Sequence, residues 1–68
     1  MELKQLGKRI KQVRNEKGLT QFDLATKINT DESSIARFEI GGTNPTYLTL
    51  QKIAKGLEVS LSELMSGL

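Results

Sequence analysis

Residues 21–40 read QFDLATKINTDESSIARFEI, two short amphipathic stretches on either side of a break. In the first, Leu24, Ala25 and Ile28 fall on one face at helical spacing, which predicts a helix over about residues 21–28. Thr20 precedes it as an N-cap, and Asp23 stands three positions on as the acid of a short capping box. Asn29 ends the pattern. Asparagine accepts the left-handed backbone better than most residues, so a sharp turn is physically easy there. Asp31 then caps a second helix, expected from about Glu32 to Ile40, with Ile35 and Phe38 pointing inward. By the 3.6-residue period, Glu32, Ser33, Ala36, Arg37 and Ile40 lie on the opposite face.

Upstream, Leu3, Leu6, Ile10 and Val13 make one apolar stripe, predicting a helix over about residues 2–17 that stops at Gly18. Gly7 lies inside it at a cost of roughly 1 kcal/mol against Ala. Its place there points to close packing against a neighbour. Downstream, Gly41-Gly42 closes the second helix of the central pair, and Thr43-Asn44-Pro45 forms a loop. A further helix begins near Thr46, with Pro45 at or just before its first turn and Tyr47, Leu50, Ile53, Ala54 and Leu57 at helical spacing. Ser60 with Glu63 makes a capping box for a last short helix carrying Leu61, Leu64 and Met65. No strand pattern appears. The fold expected is all-α, a compact five-helix domain over residues 1–68 with its helix-turn-helix at about 20–40.

Composition narrows the chemistry. A chain of 68 residues buries only roughly 60% of its unfolded surface, enough for one small core. It contains no Cys and no His, which excludes disulfides, thiolate or imidazole metal sites, and nucleophile–His pairs. No enzyme, metal or cofactor is expected. The N-terminal MELKQLGKRI is charged and amphipathic, unlike a signal peptide, and no stretch approaches the roughly 20 apolar residues of a bilayer span. The chain reads as cytoplasmic, without a membrane partner. Net charge is only +2, but Lys4, Lys8, Arg9, Lys11, Arg14 and Lys17 place six of the ten basic residues before position 18. Such a run is either a solvated helix face or a phosphate-attracting one.

Two short helices around a tight turn match the helix-turn-helix, whose second helix lies in the major groove while the first crosses the backbone. On the outward face of that second helix, Arg37 can pair with guanine, Glu32 can accept from cytosine, and Ser33 can serve several bases. Gln21 brings an amide to a helix N-terminus, where backbone N–H groups favour phosphate. Thr43 and Asn44 sit in a polar loop suited to the same contact. Helix pairs of this kind are common and exposed helix faces are polar anyway, so these features alone leave DNA binding and an ordinary surface both open.

The order of motifs goes further. GKRIKQVRNEKGLTQFDLA, INTDESSIARFE, GGTNP and LQKIAKGLEVSLSEL follow one another from Leu6 to Leu64. The chain thereby resembles the lambda-repressor-like domains of the XRE family, through the LTQxxLA, IxxxE, GxxxP and VSLxEL elements at that family's spacing. The resemblance implies a bacterial or phage-encoded transcriptional regulator, usually a repressor, bound to double-stranded DNA as a homodimer on a palindrome. It implies base contacts from Glu32, Ser33, Ala36 and Arg37, and phosphate contacts from Gln21, Thr43 and Asn44. It also implies a structural ion pair between Arg14 and Glu39. The same fold can serve instead as a protein-interaction module, such as the antitoxin of a toxin–antitoxin pair.

Several positions depart from the family pattern. Asp31 and Glu32 bring two negative charges to the leading end of the recognition helix. Phe22, Ile40 and Leu48 are apolar where polar residues are usual, and Leu48 with Leu61 and Met65 offers material for a dimer face. Glu58 stands where Gly is common, so a looser end to the fourth helix is expected.

Overall fold

The computed structural model describes residues 2–66 and Leu68. Met1 and Gly67, which the one-domain reading includes, lie outside the described residues. Five helices follow in order, α1 Leu3–Glu16, α2 Gln21–Lys27, α3 Glu32–Glu39, α4 Tyr47–Gly56 and α5 Leu61–Met65, with no strand among the described residues. The expected helices are all present. The expected ends at Lys17, Ile28 and Ile40 each move back by one residue, because these three serve as C-caps.

Side-chain caps start α2, α3, α4 and α5. Thr20 Oγ1 accepts from Asp23 N at 3.0 Å while the Asp23 carboxylate accepts from Thr20 N at 2.9 Å, a complete capping box. Asp31 accepts from Ser34 N at 3.2 Å and Thr46 from Thr49 N at 3.1 Å. Ser60 accepts from Glu63 N at 3.0 Å and supplies only the hydroxyl half of the box expected there.

Four helices end alike, in a Schellman turn whose C′ residue is left-handed. These residues are Gly18 (φ 72°), Asn29 (φ 58°), Gly41 (φ 77°) and Glu58 (φ 61°). In each turn the next amide reaches back five residues, from Leu19 to Arg14, Thr30 to Ala25, Gly42 to Arg37 and Val59 to Ala54, at 2.9–3.1 Å. The expectation of a looser turn at Glu58 is therefore corrected. Val59 packs against the core, and this contact with its backbone hydrogen bond holds Glu58 in a region that costs a non-glycine residue roughly 1–2 kcal/mol.

The helices enclose one core of Leu6, Ile10 and Val13 from α1, Leu24 and Ala25 from α2, Ile35 from α3, Leu50, Ile53 and Ala54 from α4, Leu57, and Leu64 from α5. Helix α1 packs on α3 and α5, α2 on α3 and α4, and α4 on α5. Tyr47, placed on the apolar repeat of α4, is instead 67% exposed. It opens the first turn, ahead of the buried stripe that starts at Leu50. Leu48 is also exposed, whereas Leu61 and Met65 are half-buried against the core.

Gly7 is buried where α1 crosses the end of α3. A Cβ placed there would fall inside 3.0 Å of the backbone carbonyls of Phe38 and Glu39. The two backbones touch directly, and only glycine lets them.

Candidate nucleic-acid interface

Helix α3 carries the residues of the expected reading face. Ile35 is fully buried and Phe38 half-buried, which turns Glu32, Ser33 and Arg37 outward into solvent. Ala36 lies at the edge of this face and is half-buried, so only its methyl group can meet a ligand.

The pose of α3 is set from beneath. Arg14 Nε donates to Glu39 Oε2 at 2.6 Å and Arg14 Nη2 to Glu39 Oε1 at 3.0 Å, with both residues buried. The third guanidinium nitrogen, Nη1, donates to Leu19 O at 2.7 Å. This bidentate pair joins the last turn of α1 to the last residue of α3. Its hydrogen bond to Glu39 raises the Arg14 pKa above its ordinary value, burial opposes that, and the Glu39 charge adds to it. The charges are thus met by well-directed hydrogen bonds, which a buried ion pair needs.

Gln21 joins the same carboxylate. Its Nε2 donates to Glu39 Oε1 at 3.0 Å, so one amide hydrogen turns inward. The sequence-based reading had this amide free for phosphate. One N–H of the Gln21 amide remains for that purpose. Thr43 and Asn44 are exposed in the loop after α3, anchored by Pro45, which is buried beneath them.

A second network covers the leading end of α3. Ser33 Oγ donates to Asp31 Oδ2, Ser34 Oγ donates to Asp31 Oδ1 at 2.7 Å, and Arg37 Nη2 donates to Ser34 Oγ at 3.3 Å. The hydroxyls of Ser33 and then Ser34 draw the Asp31 carboxyl down to about 2, so it is ionised at neutral pH. Sequence reasoning took Asp31 as a cap alone. The signal that reveals more is the D-x-S-S run itself, since an N-cap aspartate has serines within reach at the second and third positions after it.

The basic run of α1 divides. Arg14 is spent on Glu39. Arg9, one of the run left open between a solvated and a phosphate-attracting face, donates from Nε to Leu64 O and from Nη2 to Glu63 O, each at 2.9 Å, and from Nη1 to Gln12 at 3.2 Å. It caps the end of α5. Lys4, Lys8, Lys11 and Lys17 stay exposed. Among the described residues no cluster of acids could hold a metal ion, and no helix is long and apolar enough to cross a membrane.

The helix-turn-helix family model matches residues 10–64 of this chain. The chain is 46% identical over 57 residues to human endothelial differentiation-related factor 1, covering 84% of this chain and 38% of that protein. It is 38% identical over 60 residues to the immunity repressor protein of Bacillus phage phi105, covering 88% and 42%. The chain thus spans about two fifths of the length of the curated relatives it matches. Among solved structures it is similar to the restriction-modification controller protein C.Esp1396I, solved as a tetramer in complex with its natural 35 base-pair operator. The TM-score is 0.87 at 42% identity, over 94% of this chain and 84% of that one.

Proposed function

The chain belongs to the helix-turn-helix family, and on that premise we propose that it is a sequence-specific transcriptional regulator, a repressor, of double-stranded DNA. The observation that carries this reading is the pose of α3. A buried ion pair holds it against α1 while Glu32, Ser33 and Arg37 stand outward on a single face. Helix α3 enters the major groove, Arg37 pairs with guanine, Ser33 and Glu32 meet neighbouring base edges, and the Ala36 methyl packs on a thymine methyl. Gln21, Thr43 and Asn44 contact phosphate and set register. Two copies on a palindrome place their recognition helices roughly 34 Å apart, one turn of DNA. The likeness to a phage immunity repressor and to a controller protein held on its operator supports the reading. The protein works in the cytoplasm, by occupancy rather than by catalysis.

Selection from random duplexes tests this directly, because it reports binding, sequence and half-site spacing together. Affinity should fall steeply with salt as phosphate contacts release counterions. Replacing Arg37 by Ala should relax one base position by about 1–3 kcal/mol. If no duplex is retained even at low salt, the repressor reading fails. A protein-interaction role is favoured by a separate observation, the exposed Phe22, Ile40, Tyr47 and Leu48, and that outcome would point to it.

A further inference from the structure

The hydrogen bonds around Asp31 have a direction, and the direction limits what α3 can read. An ionised carboxylate has only lone pairs, so Ser33 and Ser34 must both donate their hydroxyl hydrogens to it. A serine hydroxyl has one hydrogen and two acceptor lone pairs. With the hydrogen held by Asp31, Ser33 offers only lone pairs to the groove. Its neighbour Glu32, an exposed carboxylate, also offers only acceptors. Arg37, one turn later, has only donors, and its Nη2 already leans on Ser34 Oγ at 3.3 Å. The outward face of α3 is thereby sorted into acceptors at the leading turn and donors at the next.

We propose that Asp31 makes Ser33 an acceptor-only reader, so that the leading turn of α3 selects a base bearing an exocyclic amino group, adenine or cytosine. The proposal rests on the reading of α3 as the helix in the major groove. There, adenine N6 and cytosine N4 are donors, whereas guanine N7 and O6 and thymine O4 are acceptors. A free serine hydroxyl rotates to suit either kind. The bond to Asp31 removes that freedom, and a keto group opposite Ser33 would set lone pair against lone pair in a desolvated contact. Asp31 need not touch DNA. It is a positioning residue that acts through Ser33, while Arg37 reads guanine one turn away.

The test uses the wild-type chain, Ser33→Ala and Asp31→Ser, the last retaining a good N-capping oxygen. Selection with wild type and Ser33→Ala identifies the base pair whose preference Ser33 carries. Wild type is then titrated with consensus duplexes altered at that pair. One set moves or removes the amino group, with 2-aminopurine for adenine or 2-pyrimidinone for cytosine. The other removes the purine N7, with the 7-deaza base.

Loss of the amino group should weaken wild type roughly fivefold to tenfold, leave Ser33→Ala nearly unchanged, and matter less in Asp31→Ser. Loss of N7 should leave the Ser33 contact intact. A wild-type penalty on N7 loss with none on amino loss overturns the proposal, as does an unaltered amino dependence in Asp31→Ser. So does a Ser33→Ala selection that shifts no position. Failure to enrich any sequence overturns the DNA reading itself, which separates the two. Thermal melts confirm that each variant is folded, and wild type with Ser33→Ala decides the matter should Asp31→Ser not fold.

Discussion

Helix α1 grips one neighbour on each side with an arginine, and the two grips rest on different physics. Toward α3, Arg14 meets the Glu39 carboxylate, buried and bidentate, and Gly7 lets the two backbones touch. Toward α5, Arg9 reaches the carbonyls of Glu63 and Leu64 at a half-exposed helix end. Removing one member of the first grip strands a charge away from water. Removing Arg9 leaves carbonyls that water can satisfy. The side holding the proposed reading helix is rigid but brittle, and the far side is weak but forgiving.

The largest effect that would break this contrast belongs to Glu39. Glu39→Ala should cost about 3–5 kcal/mol in urea unfolding, since it leaves Arg14 buried and unpaired. Replacing Arg14 and Glu39 together by apolar residues of similar size should recover most of that loss. A Glu39→Ala variant as stable as wild type would mean that the pair is solvated in solution.

Gly7→Ala comes next. Helix propensity favours alanine by roughly 1 kcal/mol, but the added methyl collides with α3, so a net loss of about 2 kcal/mol is expected. A gain in stability would show that α1 and α3 can part without penalty.

On the α5 side, Arg9→Met should cost only about 1 kcal/mol, the scale of hydrogen bonds in contact with water. A loss as large as that of Glu39→Ala would erase the distinction between the two grips. The smallest effect has the opposite sign. Glu58→Gly relieves a left-handed non-glycine residue in the turn leading to α5 and should stabilise by about 0.5–1 kcal/mol, net of the added freedom of the unfolded chain. A midpoint that does not rise in denaturant titration would show that Glu58 carries no strain.

The same contrast explains what could be read from sequence. Thr20, Asp31 and Ser60 announced helix starts because a capping side chain acts on its own next few residues, and the apolar spacing of Leu6, Ile10 and Val13 placed α1. Arg14 and Glu39 came only through the order of motifs across the chain, since spacing alone does not say which charges meet. The role of Arg9 at the end of α5 is not legible in the basic run, because its partners are backbone carbonyls, which every residue possesses and no sequence marks. Tyr47 fitted the helical spacing but lies one turn ahead of the buried stripe, where periodicity does not report depth. Glu58 takes the shape of the residue it replaces because Val59 and Ala54 decide that turn. The inward hydrogen bond of Gln21 depends on a carboxylate 18 positions away, beyond the reach of local pattern.

The direct contact of α1 and α3 at Gly7 also bears on how the protein can change its target. Gly7, Arg14, Ile35, Phe38 and Glu39 set the tilt and depth of α3, whereas Glu32, Ser33 and Arg37 face outward and take no part in its packing against α1. The two groups do not overlap. On the proposed reading, exchanging the outward three would rewrite the message without re-aiming the helix, which leaves retargeting to a few substitutions at little cost in foldedness.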